Sequence, residues 1–157
     1  MSDNETPSTS NNAEFYRRRH MIFGWWVLLT FLTLGLVLET LHAYKLQWYV
    51  NVGNETRRLM MTLAHTHGTL LGVLHIVFAL TVTHLPESAA GLRRFASPLL
   101  MAAAILMPFG FLIGGIWIYS GDPGLGAWLV APGGLLLFLA VLLIAVAMTR
   151  PPTSDGS

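Results

Sequence analysis

Four long apolar stretches, separated by short charged segments, constrain this chain more than any other feature. Runs without Asp, Glu, Lys or Arg cover residues 20–38, 59–86, 95–121 and 123–149. A helix needs about 20 predominantly apolar residues to cross the hydrocarbon core of a bilayer. Because the 157 residues are 54% hydrophobic and only 11% charged, little is left for a soluble domain. The pattern predicts an all-α fold, an integral membrane four-helix bundle in the lipid bilayer.

The bundle is expected to cover residues 21–149, and its limits follow from the charged flanks. Residues 1–20 are predicted to be a disordered cytoplasmic N-terminus and residues 150–157 a cytoplasmic tail. A short turn rich in Gly, Asp and Pro, from Ser120 to Gly124, predicts that the last two helices form an antiparallel hairpin. The four spans themselves are predicted near residues 21–43, 59–84, 96–119 and 125–148.

The distribution of Lys and Arg predicts the orientation. Three of the nine cations, Lys45, Arg57 and Arg58, lie between the first and second spans. The other six fall on the opposite side of a four-span topology, at Arg17, Arg18, Arg19, Arg93, Arg94 and Arg150. Because cytoplasmic loops carry the excess of positive charge, both termini are expected in the cytoplasm and the protein in the cytoplasmic membrane.

Several function classes are disfavoured by composition. The chain has no cysteine, which excludes disulfides, iron–sulfur clusters and a thiolate ligand or nucleophile. A net charge of +1 offers no basic surface for nucleic acid, and no glycine-rich phosphate-binding motif occurs.

The segment 64–75 places three histidines and two glycines inside the second apolar span, where polar groups are costly. At about 100° per residue, His65, Gly68, Gly72 and His75 share one helix face of roughly 80°. One interpretation is a helix-packing seam whose histidines hydrogen-bond to a neighbouring helix. The other is a flat floor for a planar ligand, with an imidazole as its metal ligand. His65 and His75 are about 15 Å apart along the axis, too far to bind one iron together.

Further polar groups accompany this face. Glu39, the one carboxylate within an apolar span, and His42 belong to the outer third of the first span, near the depth of His65 and His67. Glu39 is interpreted as a proton relay, a metal ligand or an acceptor that orients a ligating histidine, or as a side chain that reaches water and pairs with Lys45. His67 points away from the stripe and is expected to contact a different helix. His20 and His84 are expected to be solvated at the cytoplasmic interface.

The pattern from Ala64 and His65 to Gly68 and Gly72 resembles a motif of small four-span membrane isomerases, the styrene oxide isomerase and hydroxylaminobenzene mutase group. A second similarity lies in Gly121-Asp122 followed by the stretch that ends at Pro132. The resemblance covers residues 20–148. Two positions differ, because the family's asparagine before the second glycine is Leu71 here and a tyrosine of the third helix is Ile116.

The resemblance implies a homotrimer that binds haem b between subunits through one axial histidine, a role that falls on His65 alone. In the ligand-floor interpretation, Gly68 and Gly72 lie beneath the bound ligand. Glu39, His42, His67 and His75 are then supporting or alternative ligands. The resemblance also implies Lewis-acid isomerisation of a small lipophilic epoxide or hydroxylamine. The alternatives are a non-catalytic membrane subunit that packs on a partner through Gly68 and Gly72, and a proton or metal-ion conduit that uses Glu39 and the histidines.

Overall fold

A computed structural model describes residues 8–51, 53 and 55–151. Four long helices dominate it: α1 (Ser8–Ala43), α3 (Glu55–Thr81), α4 (Ala90–Ile116) and α5 (Val130–Met148). A single-turn helix, α2 (Gln47–Val50), follows α1, and short 3-10 turns at Val82–His84, Glu87–Ala89 and Leu125–Leu129 connect the later helices. All four long helices are long and apolar enough to cross a membrane. The protein is therefore an all-α, multi-pass membrane protein.

The long helices pack in chain order, α1 against α3, α3 against α4, and α4 against α5. Small residues allow close approach at these contacts. A Cβ atom added to Gly133 of α5 would lie 2.8 Å from the backbone nitrogen of Met107 in α4. The apolar core between α3 and α4 contains Leu71, Ala104 and Met107.

A two-residue hairpin reverses the chain between α4 and α5. The strands β1 (Ile118–Tyr119) and β2 (Asp122–Pro123) pair antiparallel, with Ile118 opposite Pro123. Ser120 and Gly121, between the strands, have φ angles of 50° and 89°, and two positive φ angles are what a tight hairpin turn requires. The predicted tight turn is confirmed in its position, although the helix before it ends at Ile116 and not near 119.

The N-terminal segment differs from its prediction. Helix α1 begins at Ser8, so that residues 8–20 are helical, and only residues 1–7 of the segment expected to be disordered lie outside the described residues. A hydrogen bond of 2.6 Å from Arg17 Nε to Glu14 Oε2 one turn apart supports this extension. The residues 152–157 of the predicted tail also lie outside the described residues.

Candidate functional site

The glycine stripe of α3 is a packing seam against α1. A Cβ atom on Gly68 would stand 2.1 Å from Cγ of Phe31, and one on Gly72 would stand 2.8 Å from the backbone nitrogen of Leu28. The contact is mutual, because a Cβ atom on Gly24 of α1 would meet the carbonyl oxygen of Gly72 at 2.9 Å. The two backbones therefore approach closely over this stretch, as small residues in membrane helices permit.

His65 stands at the end of this seam. Its Nδ1 lies 2.7 Å from the carbonyl oxygen of Phe31, and its ring covers Gly35, where an added Cβ atom would come within 2.4 Å of the ring carbon Cε1. Since a carbonyl oxygen only accepts, Nδ1 carries the proton and donates it. Nε2 is then left with a lone pair and makes no hydrogen bond within the described part of the chain. Histidines that bind metals have this arrangement, in which the other ring N–H donates to a backbone carbonyl.

An open groove between α1 and α3 begins at His65 and runs toward the end of α1. Its volume of about 1140 Å³ is slightly above the usual range of about 300–1,000 Å³ for small-molecule sites. Its apolar walls are formed by leucines and Gly35. Its polar lining is contributed by Glu39 and His42 of α1, Tyr49 of α2, and Glu55, Thr56, Arg58, Thr62 and His65 of α3.

The register of the two antiparallel helices orders these polar groups along the groove. Gly35 lies opposite His65, and Phe31 opposite Gly68. At 1.5 Å per residue, Glu39 is about 6 Å farther along α1 than Gly35. His42 on α1 and Arg58 on α3 are each seven residues, or about 10.5 Å, beyond the level of His65. The groove thus has the imidazole of His65 at one end, a carboxylate midway, and a guanidinium with a second imidazole toward the other end.

Of the other predicted site residues, Glu39 and His42 line the groove, and the two glycines and His67 lie elsewhere. Gly68 and Gly72 are buried under α1 and do not line the groove. His67 faces α4, where its ring centroid is 4.9 Å from that of Phe111, and its expected contact with another helix is confirmed. Glu39 lines the groove, and no ion pair with Lys45 occurs among the described residues.

His75 belongs to a separate buried cluster, the inner histidine cluster, with His20 and Ser97. The Nδ1 atoms of His20 and His75 are 2.6 Å apart, and His20 Nε2 is 2.7 Å from Ser97 Oγ. All three residues are 0% exposed. The expectation that His20 is solvated is therefore wrong. Because α1 begins at Ser8, His20 lies within the helix, and its ring is buried against His75 of α3 and Ser97 of α4. His84 is exposed, as expected.

Among the described residues, no three His, Asp or Glu side chains come close enough together to hold a metal ion. A ligand that brings most of its own donors, such as a porphyrin, needs a single imidazole.

Sequence reasoning missed several residues of the groove. Gly35, Tyr49, Arg58 and Thr62 carried no motif, yet Arg58 and Thr62 share the helix face of His65 at intervals of seven and three residues. That periodicity was a usable signal. The opposing position of Gly35 depends on the register between α1 and α3, which one sequence does not reveal.

Comparison of the chain with protein-family models, with curated proteins and with solved structures finds no match.

Proposed function

We propose that this protein is a haem b-binding protein of the cytoplasmic membrane and that His65 is the axial ligand. The single observation that carries the proposal is the state of the His65 ring. Its Nδ1 is held by the Phe31 carbonyl oxygen at 2.7 Å, which leaves Nε2 as the nitrogen with a lone pair, and the residue lines the α1–α3 groove. A hydrogen bond of this kind fixes the orientation of the imidazole and makes its other nitrogen more basic, which favours metal binding.

The chemistry of the groove supports a porphyrin in particular. Leucines and Gly35 provide apolar walls for a macrocycle, and the chain contains no cysteine to compete as a ligand. The groove is open on one side, so a second copy of the chain would cover the exposed face of the ligand. We therefore include a homo-oligomer in the proposal, with a trimer implied by the isomerase resemblance.

The proposed reaction is isomerisation of a small lipophilic epoxide or hydroxylamine that enters from the bilayer. Bound haem iron would supply an open coordination position, a Lewis acid for the substrate oxygen. Tyr49 supports this part of the proposal, because its side chain lines the groove and packs in one cluster with Ile116, the position at which the resembling family has a tyrosine. The Tyr49 phenol of α2 would then contact the substrate in place of the tyrosine that α4 lacks.

The two rival functions receive less support from the contacts. Packing on a partner through Gly68 and Gly72 requires a free face, and α1 covers this face within the same chain. A continuous conduit through the histidines requires linked polar groups. His75 pairs with His20, whereas His65 bonds to the Phe31 carbonyl oxygen, and the two sites are about 15 Å apart along α3.

Absorbance of the detergent-purified protein from haem-supplied cells tests the proposal. We expect a Soret band that the His65→Ala variant lacks and the His84→Ala variant retains, because His84 is exposed and lies outside the groove. Equal Soret bands in the two variants would rule out His65 as the ligand. A colourless wild-type protein would remove haem from the account.

A further inference from the structure

We propose that Arg58 binds a carboxylate of the ligand held at His65, so that the α1–α3 groove recognises a planar metal complex with an anionic edge. The inference rests on the proposed function and extends it from the iron to the periphery of the ligand. For haem b, the groups concerned are the two propionates.

The position of Arg58 on α3 fits this role. It precedes His65 by seven residues, which are two helical turns, and therefore shares its face at a distance of about 10.5 Å along the axis. The propionates of haem stand at one edge of the macrocycle, at a separation from the iron comparable with two turns of helix. With His65 holding the iron, Arg58 would be the residue of α3 that meets this edge.

The charge of Arg58 is only loosely engaged within the chain. Its Nη2 atom is 3.8 Å from Glu55 Oε1, and the two side chains are 40% and 70% exposed. Exposed ion pairs of this kind contribute little to stability. A carboxylate in the groove would instead receive paired N–H donors from a planar guanidinium, a stronger arrangement.

The preceding residue, Arg57, has partners within the chain and is not available to a ligand in the same way as Arg58. Arg57 donates from Nη1 to the Trp48 carbonyl oxygen at 2.7 Å, and its guanidinium carbon lies 4.5 Å from the centroid of the Trp48 ring. Arg57 thereby fastens α3 to α2. Of the described residues that line the groove, Arg58 is the one guanidinium.

The other charged groups of the groove limit where an anionic edge can lie. Glu39 is midway along the groove and Glu55 is beyond Arg58. Both repel a carboxylate, so a favourable position is restricted to the level that Arg58 shares with His42. The groove therefore orients its ligand, with the anionic edge toward the end of α1.

Titration of the purified, haem-free full-length protein with ferric haem b and with its dimethyl ester tests this inference by Soret absorbance. For the wild-type protein, we expect haem b to bind about tenfold more tightly than the ester, the ratio typical of one charge-assisted interaction. In Arg58→Gln this preference should vanish through weaker binding of haem b. Arg18→Gln removes the same charge from an exposed position of α1 and should retain the preference.

The outcomes separate this inference from the proposed function. Equal affinities for haem b and the ester in the wild-type protein would contradict the role of Arg58 without requiring any variant to fold. An unchanged preference in Arg58→Gln would also contradict it. In both cases a Soret band that depends on His65 would leave the proposed function intact, whereas a wild-type protein that binds neither compound would overturn both.

Discussion

At the scale of single residues, the orientation of His65 depends on a glycine in another helix. The ring rests on Gly35, and an added Cβ atom would lie 2.4 Å from Cε1 and 2.6 Å from Nδ1. No real Cβ atom tolerates such contacts, so even alanine must turn the imidazole. The hydrogen bond to the Phe31 carbonyl oxygen would be lost with that rotation.

We therefore predict that Gly35→Ala weakens haem binding by about tenfold or more, the usual effect of losing a group that orients a metal ligand. Gly91→Ala is the matched control, since a Cβ atom there meets nothing within 4 Å. The measurement is a haem titration of both variants by absorbance. Equal affinities for Gly35→Ala and Gly91→Ala would show that the ring position is unimportant.

At the scale of helices, the seam between α1 and α3 leaves no room for a side chain at Gly72. Gly72 approaches the backbone of Leu28, which cannot move aside as a flexible side chain would. Overpacking of this kind typically costs about 1–3 kcal/mol. Alanine is otherwise better than glycine in a helix interior by about 1 kcal/mol, so a loss of stability would report the seam itself.

For Gly72→Ala we predict a lower unfolding temperature in detergent than for the wild-type protein. For Gly134→Ala, in α5, we predict an unchanged or higher one, because its Cβ atom would meet only Met107 Cε at 3.5 Å. Circular dichroism during heating measures both. A Gly72→Ala variant as stable as Gly134→Ala would mean that α1 and α3 do not approach as closely as described.

The helices were largely predictable from the sequence, and the contacts between them were not. Lengths and positions of the spans follow from uncharged runs, and the turn near Gly121 follows from its Gly, Asp and Pro content. His65 was singled out by its motif, and its role as a ligand stays a prediction. The partner of each polar group depends on helix register, so the pairing of His20 with His75 and the place of Arg58 beside the groove required coordinates.

At the scale of the whole molecule, the two outermost long helices, α1 and α5, leave much apolar surface exposed. Large side chains of α5, among them Leu135 and Phe138, are exposed, as are Leu32 and Leu36 of α1 beside the groove. In a membrane protein such surface faces lipid or another copy of the chain. This distribution is compatible with the homo-oligomer that we propose.

Orientation is the prediction that belongs to this scale. Because six of the nine Lys and Arg residues lie on the side of both termini, we predict that a reporter active only in the periplasm is inactive when fused after Ser157. The same reporter inserted between residues 44 and 54 should be active. The opposite pattern would invert the topology and place the Arg58 end of the α1–α3 groove on the cytoplasmic side.

The central claim is that the groove holds haem at His65, and the absorbance spectrum of the wild-type protein tests it most directly. Protein purified in mild detergent from haem-supplied cells should show a Soret band in stoichiometric proportion to the chain, because the hydrogen bond from His65 Nδ1 leaves Nε2 with a lone pair for one iron. A folded helical protein that is colourless as purified, and that leaves the Soret band of added haem b the same as in detergent alone, would contradict haem binding at His65.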